Sequence, residues 1–474
     1  MSELLKKVYN HETFRKQGHQ LVDLIADHLE ASFTEKNQVL GYIEPQDQLV
    51  KWRDFLDMGQ SSIQYFQEII NGSIHLHHPQ YMGHQISPPA PITALSALVT
   101  DMMNNGMGVY EMGGPSTAIE RVVTEVIGNA IGYDDSAGGF LTSGGTLANL
   151  TCLLTARAQL KERHIWTEGM GDKKLALMVS EEAHYCVDRA ARIMGLGDDG
   201  IIKVPVNKRF QLDVGLLENC YSEAATKGIE VFAIVGSACT TSTGSYDNLE
   251  ALSAFAKSKN IWFHIDGAHG GAVVFSNKYR EIVAGMDKAD SVIIDCHKMM
   301  MTPSVTTAVV YKEMKNSFTT FSQKASYLFE KTHDREWFNL AKRTFECTKL
   351  MMGVKFYSIL QAYGVAAIDD FVTALHDNAR ILADLVNDHP DFELACYPES
   401  NIVCYRLVVE GMEKDKMNLL NAKIRRRILE EGEFYIVQTQ INDKLYLRNT
   451  MMNPFTTKNH MKNLLDVLVG YSSS

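Results

Sequence analysis

Apolar positions recur with helical spacing near the start of the chain. Between residues 12 and 32 they fall on one stripe of a helix, while Asp23, Asp27 and Glu30 lie largely off it. The stripe contains Phe14, Leu21, Leu24, Ile25 and Leu29. The pattern predicts an amphipathic helix. Packing within the chain and a role as a dimer arm are equally good explanations of its apolar face.

From about residue 115 to 312 the chain alternates segments of helical length with short runs that are apolar throughout. These runs lie at 175–180, 231–236, 261–265, 291–295 and 307–311. Strands buried on both faces of a parallel sheet have this pattern. We therefore predict a central α/β unit with a mainly parallel sheet.

Beyond about residue 350 the pattern changes to one typical of a smaller α+β unit. Strand-like runs and a final helix are predicted at 402–408, 433–438, 445–448 and 457–470. The 474 residues also exceed the size of about 250 to 300 at which single cores stop growing. We expect an N-terminal helical segment at 1–80, a large α/β domain at 81–350 and a small α+β domain at 351–474.

Composition and charge narrow the range of partners. Hydrophobic residues make up 45% of the chain, which is ordinary for a globular protein, and the formal net charge of −11 argues against nucleic acid and anionic membranes. The eight cysteines include no CxxC pair and no zinc-finger spacing, so we expect reduced thiols and no metal site. The sequence shows no signal peptide or membrane-spanning run, which favours a cytoplasmic protein.

The segment Ser143-Gly144-Gly145-Thr146 directly precedes a helix-like stretch. Backbone N–H groups at a helix start, with hydroxyls beside them, are suited to bind a phosphate. A Gly-Gly pair that only turns the chain is the ordinary alternative.

Two further segments place an aspartate and a lysine at the ends of apolar runs. A carboxylate at Asp266 can keep the ring nitrogen of a pyridine cofactor protonated, which makes the ring an electron sink, although many such aspartates only cap a loop. Lys298 follows the run 291–295. Such a lysine either extends to solvent or has a lowered pKa that lets its amine form a Schiff base with an aldehyde.

Together these segments resemble the group II pyridoxal-phosphate (PLP) dependent amino-acid decarboxylases, which include glutamate, aromatic-amino-acid and diaminobutyrate decarboxylases. The shared motifs are Ser-x-Gly-Thr from Ser143, Ala-His at His184, Asp-x-Ala from Asp266, and His-Lys at Lys298. The aspartate and lysine stand 298 − 266 = 32 residues apart, the interval that the family requires.

The resemblance implies the type I fold of PLP-dependent transferases, in which the large domain has a mainly parallel sheet of the seven-stranded type. It also implies a carboxy-lyase that converts an L-amino acid to the amine and CO2 through an external aldimine and a quinonoid. The same likeness implies a homodimer with the active site at the subunit interface.

The resemblance also implies cofactor-binding roles. Lys298 would bind pyridoxal 5'-phosphate as a Schiff base, and Asp266 would pair with the pyridine nitrogen. His297 and the loop Ser143–Thr146 would hold the phosphate. The remaining expected cofactor contacts are His184 stacked on the ring, Ala268 beside it, Ser237 and Asp295. Asp295 stands where relatives often have Asn.

Substrate-facing roles follow from the same likeness. Tyr327, 29 residues after the lysine, is expected to reprotonate the substrate carbon as a general acid. Arg448 is expected to bind a substrate carboxylate bidentately, and His184 to contact it. His84 and Ser87 are expected to line the substrate pocket.

Two alternatives remain open from the sequence. An aminotransferase or aldehyde-forming relative of this fold would use the same lysine and aspartate, whereas an inactive, PLP-free scaffold would retain only the fold. Acidic, basic and aromatic substrates are equally compatible with the sequence.

Overall fold

A computed structural model describes residues 1–59, 61–160, 165–321 and 336–472. The helices are α1 Glu3–Val8, α2 His11–Phe33, α3 Pro45–Asp57, α4 Ser62–Asn71, α5 Pro91–Met103, α6 Tyr110–Ile131, α7 Gly145–Ala158, α8 Ile165–Glu168, α9 Tyr185–Ile193, α10 Leu217–Thr226, α11 Leu249–Lys259, α12 Phe318–Phe321, α13 Met352–Tyr363, α14 Ala366–Asn387, α15 Lys414–Glu431 and α16 Lys458–Ser472. The strands are β1 Gly138–Thr142, β2 Lys174–Ser180, β3 Ile201–Val204, β4 Ile229–Ser237, β5 Trp262–Asp266, β6 Ser291–Asp295, β7 Thr307–Tyr311, β8 Phe392–Leu394, β9 Ile402–Leu407, β10 Val437–Ile441 and β11 Lys444–Thr450.

The predicted N-terminal helix is present as α2. It begins after Asn10, whose side chain accepts a hydrogen bond from Thr13 N at 2.7 Å and so satisfies an otherwise unpaired backbone donor. Phe14 and Ile25, on the predicted apolar stripe, stay partly exposed, at 48% and 38%.

The chain forms two compact units. One comprises residues 1–84, 381–395 and 403–474, and the other comprises 85–380 and 396–402. The first unit joins segments far apart in sequence: Val39 N donates to Gly432 O at 3.0 Å, and Asn453 Nδ2 donates to His78 O at 2.9 Å. The grouping therefore differs from the three consecutive segments expected from the sequence, because long-range pairings leave no periodic signal.

The larger unit is built on a seven-stranded sheet in the order β1-β7-β6-β5-β4-β2-β3. Strands β6, β5, β4, β2 and β3 pair in parallel, and β7 is antiparallel to both of its neighbours. Strands β5, β6 and β7 are buried along their whole length, as their largely apolar sequences indicate. The predicted α/β class and mainly parallel sheet are confirmed.

The smaller sheet has the order β10-β11-β9-β8, with antiparallel pairing of β10 with β11 and of β8 with β9. Strand β10 begins at Val437, four residues after the start of the predicted run at 433. The preceding residues pair elsewhere: Tyr435 forms an isolated parallel bridge with Tyr81, and Met82 N donates to Tyr435 O at 3.0 Å. That tertiary pairing explains the shifted start.

Strand β1 lies at an edge of the large sheet, and charged side chains satisfy its outward backbone groups. Lys349 Nζ donates to Leu141 O at 2.5 Å and to Glu120 Oε1, which accepts Leu141 N at 3.0 Å. Arg343 Nη2 donates to Gly139 O at 3.2 Å. All three charged side chains are buried. They occupy an edge that would otherwise offer unpaired groups to another strand.

Candidate active site

The sequence-predicted cofactor residues meet at one edge of the large sheet. Asp266 is the last residue of β5 and Asp295 the last of β6, while Ser237 ends β4. These strands are parallel neighbours, so their carboxyl ends share the edge where ligands bind in such sheets. Strand β1 runs in the same direction, and the turn after it leads into α7 at Gly145.

A cavity of about 160 Å³ opens at this edge. Its lining comprises Gly145, Thr146, Asn149, His184, Cys186, Ser237, Cys239, Thr241, Asp266, Ala268, His269, Asp295, His297 and Lys298. Among the described residues, Ser143 and Gly144 do not line it. The structure thus gathers most of the expected cofactor residues around one space.

Lys298 is held by the carboxylate at the end of the preceding strand, β6. Its Nζ lies 3.0 Å from Asp295 Oδ2, and Asp295 Oδ1 accepts Thr307 Oγ1–H at 2.5 Å. Burial disfavours the charged amine, but attraction to Asp295 and then Asp266 outweighs it and raises the pKa of Lys298. This direction is opposite to the lowered pKa that was one of the two alternatives for Lys298, because Asp295 stands beside the amine.

Three groups contact the Asp266 carboxylate and fix its orientation. Its Oδ2 accepts Asn149 Nδ2–H at 3.0 Å and lies 3.9 Å from Cys186 Sγ, and its Oδ1 accepts the backbone N–H of Ala268 at 3.1 Å. The carboxylate is buried but still borders the cavity. It is therefore oriented before any ligand arrives.

His184 caps α9, where its Nδ1 accepts the backbone N–H of Cys186 at 3.3 Å. Burial lowers the pKa of His184, and Lys298 adds to this while Asp266 opposes it. The ring is therefore largely neutral near pH 7. Since Nδ1 is occupied by the backbone, Nε2 is the ring nitrogen left for a ligand.

Fewer residues of the predicted phosphate-binding loop Ser143–Thr146 face the cavity than the sequence suggested. Gly145 and Thr146 line the cavity at the start of α7, but Ser143 Oγ donates to Glu346 Oε1 at 3.0 Å, and Ser143 N donates to the same atom at 3.3 Å. A Cβ on Gly145 would lie 3.3 Å from both carboxylate oxygens of Asp295. The absence of a side chain at Gly145 therefore keeps the phosphate seat at Gly145 and Thr146 open.

These groups fit PLP. The helix start at Gly145 and Thr146, with His297 nearby, suits a phosphate; His297 Nδ1 is anchored 3.0 Å from Thr306 O. Asp266 suits a protonated pyridine nitrogen, and Lys298 suits an aldehyde. Asp295 also lines the cavity, where its oxygens accept from Thr307 and face Lys298.

The residues expected to act only on the substrate are Tyr327, Arg448, His84 and Ser87, and the described ones among them do not line this cavity. Tyr327 lies outside the described residues. Arg448, on β11, is buried. Desolvation of the imidazole ring lowers the pKa of His84, and the charge of Arg448 lowers it further. Both belong to the smaller unit, whereas Ser87 is a buried residue of the larger one.

Sequence reasoning missed several residues of the site. Asn149, Cys186, Thr241 and His269 line the cavity, and Glu346 binds the loop after β1. Asn149 could have been found, because it stands three residues after Thr146 and so shares its helix face. The position of Glu346 depends on tertiary structure, since 203 residues separate it from Ser143.

In the described ranges, no group of three or more His, Cys, Asp or Glu side chains is arranged to hold a metal ion. No described helix combines the length and apolar composition needed to cross a membrane.

Comparison with known proteins agrees with this chemistry. Residues 60–408 match the pyridoxal-dependent decarboxylase conserved domain. An aspartate 1-decarboxylase of Aliivibrio fischeri is 30% identical over 70% of this chain and 66% of that protein. An aromatic-L-amino-acid decarboxylase of Bacillus atrophaeus is 25% identical over 96% of this chain and 94% of that protein.

The fold is shared with solved structures as well. The crystal structure of mouse CSAD has a TM-score of 0.90 and 20% sequence identity, with 98% of this chain and 99% of that chain covered. The predicted type I fold is thereby confirmed. The matches favour decarboxylation over the aminotransferase and inactive-scaffold alternatives. The chain therefore belongs to the family of pyridoxal-dependent decarboxylases, carboxy-lyases that act on amino acids with PLP.

Proposed function

We propose that this chain decarboxylates an L-amino acid with PLP bound covalently to Lys298. The observation that carries the proposal is the juxtaposition of Lys298 and Asp266 at the ends of adjacent parallel strands, around one cavity. An amine for the aldehyde and a carboxylate for the ring nitrogen are the two groups that this chemistry requires of the protein.

When bound, PLP supplies a protonated ring that accepts the electrons of the breaking bond between Cα and the carboxylate. Asp266 holds the proton on the ring nitrogen. The backbone at Gly145 and Thr146, with His297, binds the phosphate. Lys298 retains the cofactor between turnovers, and Asp295 holds the amine in place when it is released.

Substrate orientation is assigned to His184 and Arg448. His184 offers Nε2 to the substrate carboxylate from the cavity wall, since its Nδ1 is taken by the backbone. Arg448 is the proposed bidentate partner of a substrate carboxylate, with His84 and Ser87 as further pocket residues. Tyr327 is the proposed general acid that returns a proton to Cα.

A homodimer is proposed because α5 presents an apolar stripe on the surface of the single chain. Its exposed members are Leu95, Leu98, Val99, Met102 and Met103. Their spacing of three and four residues places them on one helix face, and contiguous apolar surface of this kind marks protein–protein contacts. The active site would then form at the subunit interface.

A cytoplasmic location is also proposed. The eight cysteines, all within the described ranges, form no disulfide. Thiols that stay reduced are typical of that compartment.

The test of cofactor attachment is borohydride reduction of the PLP-loaded protein, followed by peptide mapping. We expect the label on Lys298, and we expect Lys298→Ala to lose the visible absorption band of the bound cofactor together with activity. Lys278→Ala, which alters a lysine paired with Asp377 on the surface, should keep both. Loaded wild-type protein that is colourless, or a label at another lysine, would contradict the proposal.

The substrate requires a separate assay. Relatives are named for aspartate, 2,4-diaminobutyrate and aromatic substrates, so the panel should contain the protein L-amino acids and L-2,4-diaminobutyrate. We expect CO2 and the matching amine in equal amounts from at least one of them. Release of a keto acid without CO2 would instead indicate aminotransferase chemistry.

A further inference from the structure

A row of buried polar side chains leads from Asp266 into the core of the larger unit. Asn149 Nδ2 donates to Asp266 Oδ2 at 3.0 Å, and His264 Nε2 lies 2.8 Å from Asn149 Oδ1. His264 Nδ1 lies 2.9 Å from Ser291 Oγ, which accepts Trp262 Nε1–H at 2.9 Å. Asn149, His264 and Ser291 are fully buried, so bulk water does not compete for these hydrogen bonds.

The carboxylate at one end sets the direction of every hydrogen bond in the row. A carboxylate only accepts, so Asn149 presents its NH2 group to Asp266 and its carbonyl oxygen to His264. His264 Nε2 must then carry a proton. Burial lowers the pKa of His264 to about 4, so the ring is neutral near pH 7 and its Nδ1 is an acceptor. The Ser291 hydroxyl supplies the matching donor.

The Ser291 hydroxyl stabilises this tautomer against a specific competitor. His264 Nδ1 also lies 3.2 Å from the backbone oxygen of Ser291, to which a protonated Nδ1 would donate. In that tautomer Nε2 would become an acceptor facing Asn149 Oδ1. The Asn149 amide would then have to turn, which would bring its oxygen against the carboxylate of Asp266.

We propose that Ser291 and His264 are positioning residues, which act through Asn149 to hold the Asp266 carboxylate in the orientation that meets the cofactor ring nitrogen. The inference rests on the proposed function, in which Asp266 pairs with that nitrogen. Among the described residues, neither Ser291 nor His264 lines the cavity, so their effect on the cofactor is indirect.

The first test compares two matched substitutions in the PLP-loaded protein. Ser291→Ala removes the hydroxyl of the row, and Ser276→Ala removes an equally buried hydroxyl that pairs with Thr373 Oγ1 at 2.7 Å. We expect Ser291→Ala to weaken PLP binding about tenfold, the scale of one net hydrogen bond, because Asp266 loses its fixed orientation, and to alter the absorption bands of the bound cofactor. Ser276→Ala should leave both as in wild type.

The second test observes the tautomer itself, without cofactor. In protein labelled with 15N-histidine, the resonances of His264 are identified by their loss in His264→Gln. We expect an unprotonated Nδ1 in wild type and a protonated Nδ1 in Ser291→Ala. His264→Gln, which can still donate to Asn149, should bind PLP more tightly than His264→Leu, which cannot.

The outcomes separate this inference from the function on which it rests. Wild-type protein that does not attach PLP to Lys298 would overturn the proposed function. Wild-type protein that binds PLP, with Ser291→Ala equal to it in affinity, spectrum and tautomer, would overturn the positioning role alone. If a variant at His264 fails to fold, the serine pair still decides, because each member removes only one hydroxyl oxygen.

Discussion

The charge of Lys298 depends most on one neighbour, Asp295. Asp295→Asn removes the closest anion, so the pKa of Lys298 should fall from its raised value. The neutral amine is the form that attacks an aldehyde, and more of it would then be present at a given pH. We expect the pH profile of PLP capture by the cofactor-free protein to move to lower pH, as measured by stopped-flow absorbance. Asp198→Asn, at an exposed site, is the control; a profile that stays in place or moves upward would refute the assignment.

Gly145 is a second single-residue determinant. Gly145→Ala would place a Cβ 3.3 Å from both Asp295 oxygens and 3.4 Å from the Cβ of Ala268, inside the proposed phosphate seat. We expect PLP affinity to fall at least about tenfold, because the phosphate would be displaced from its backbone donors. Gly18→Ala serves as the control, since nothing lies within 4 Å of its added Cβ. Equilibrium dialysis against PLP measures the difference, and equal affinities would exclude this seat.

At the scale of elements, the edge of β1 depends on the buried pair formed by Glu120 and Lys349, whose side chains are 2% and 1% exposed. Lys349→Met leaves Glu120 as an uncompensated buried charge, so we expect a loss of about 3 to 5 kcal/mol in the free energy of unfolding. The double variant Glu120→Gln with Lys349→Met should lose less free energy of unfolding than Lys349→Met alone, because no charge remains buried. Urea unfolding of the wild type and both variants measures these losses. A double variant less stable than the single one would contradict this account.

For the whole molecule, the apolar face of α5 predicts self-association. Leu98→Glu together with Met102→Glu places two charges on that face, where a second chain would have to desolvate them. We expect sedimentation analysis to show a dimer for wild type and a monomer for this variant. Leu419→Glu, at an exposed position on α15, should remain dimeric. A monomeric wild type would refute the dimer proposal.

The sequence by itself determined the class of the fold and the centre of the chemistry. Short runs that are mostly apolar are typical of strands buried on both faces, so β5, β6 and β7 could be predicted from their composition, although His264 and Ser291 within them are polar. Asp266 and Lys298 supply a carboxylate and an amine, and few other functions require these two groups in this order along the chain. The order and spacing of these motifs were therefore enough to identify the family.

Tertiary structure alone decided how these groups are tuned. Asp295 raises the pKa of Lys298, and Glu346 accepts a hydrogen bond from Ser143. The row of buried polar side chains that ends at Ser291 orients Asp266. Each of these depends on distances of a few ångströms between residues brought together by different strands and loops. Periodicity reports only which face of an element is buried, so it carries no information about which polar side chain meets which. That is why the motif residues could be predicted, whereas neighbours such as Asn149 and Glu346 and the electrostatics of the site were missed.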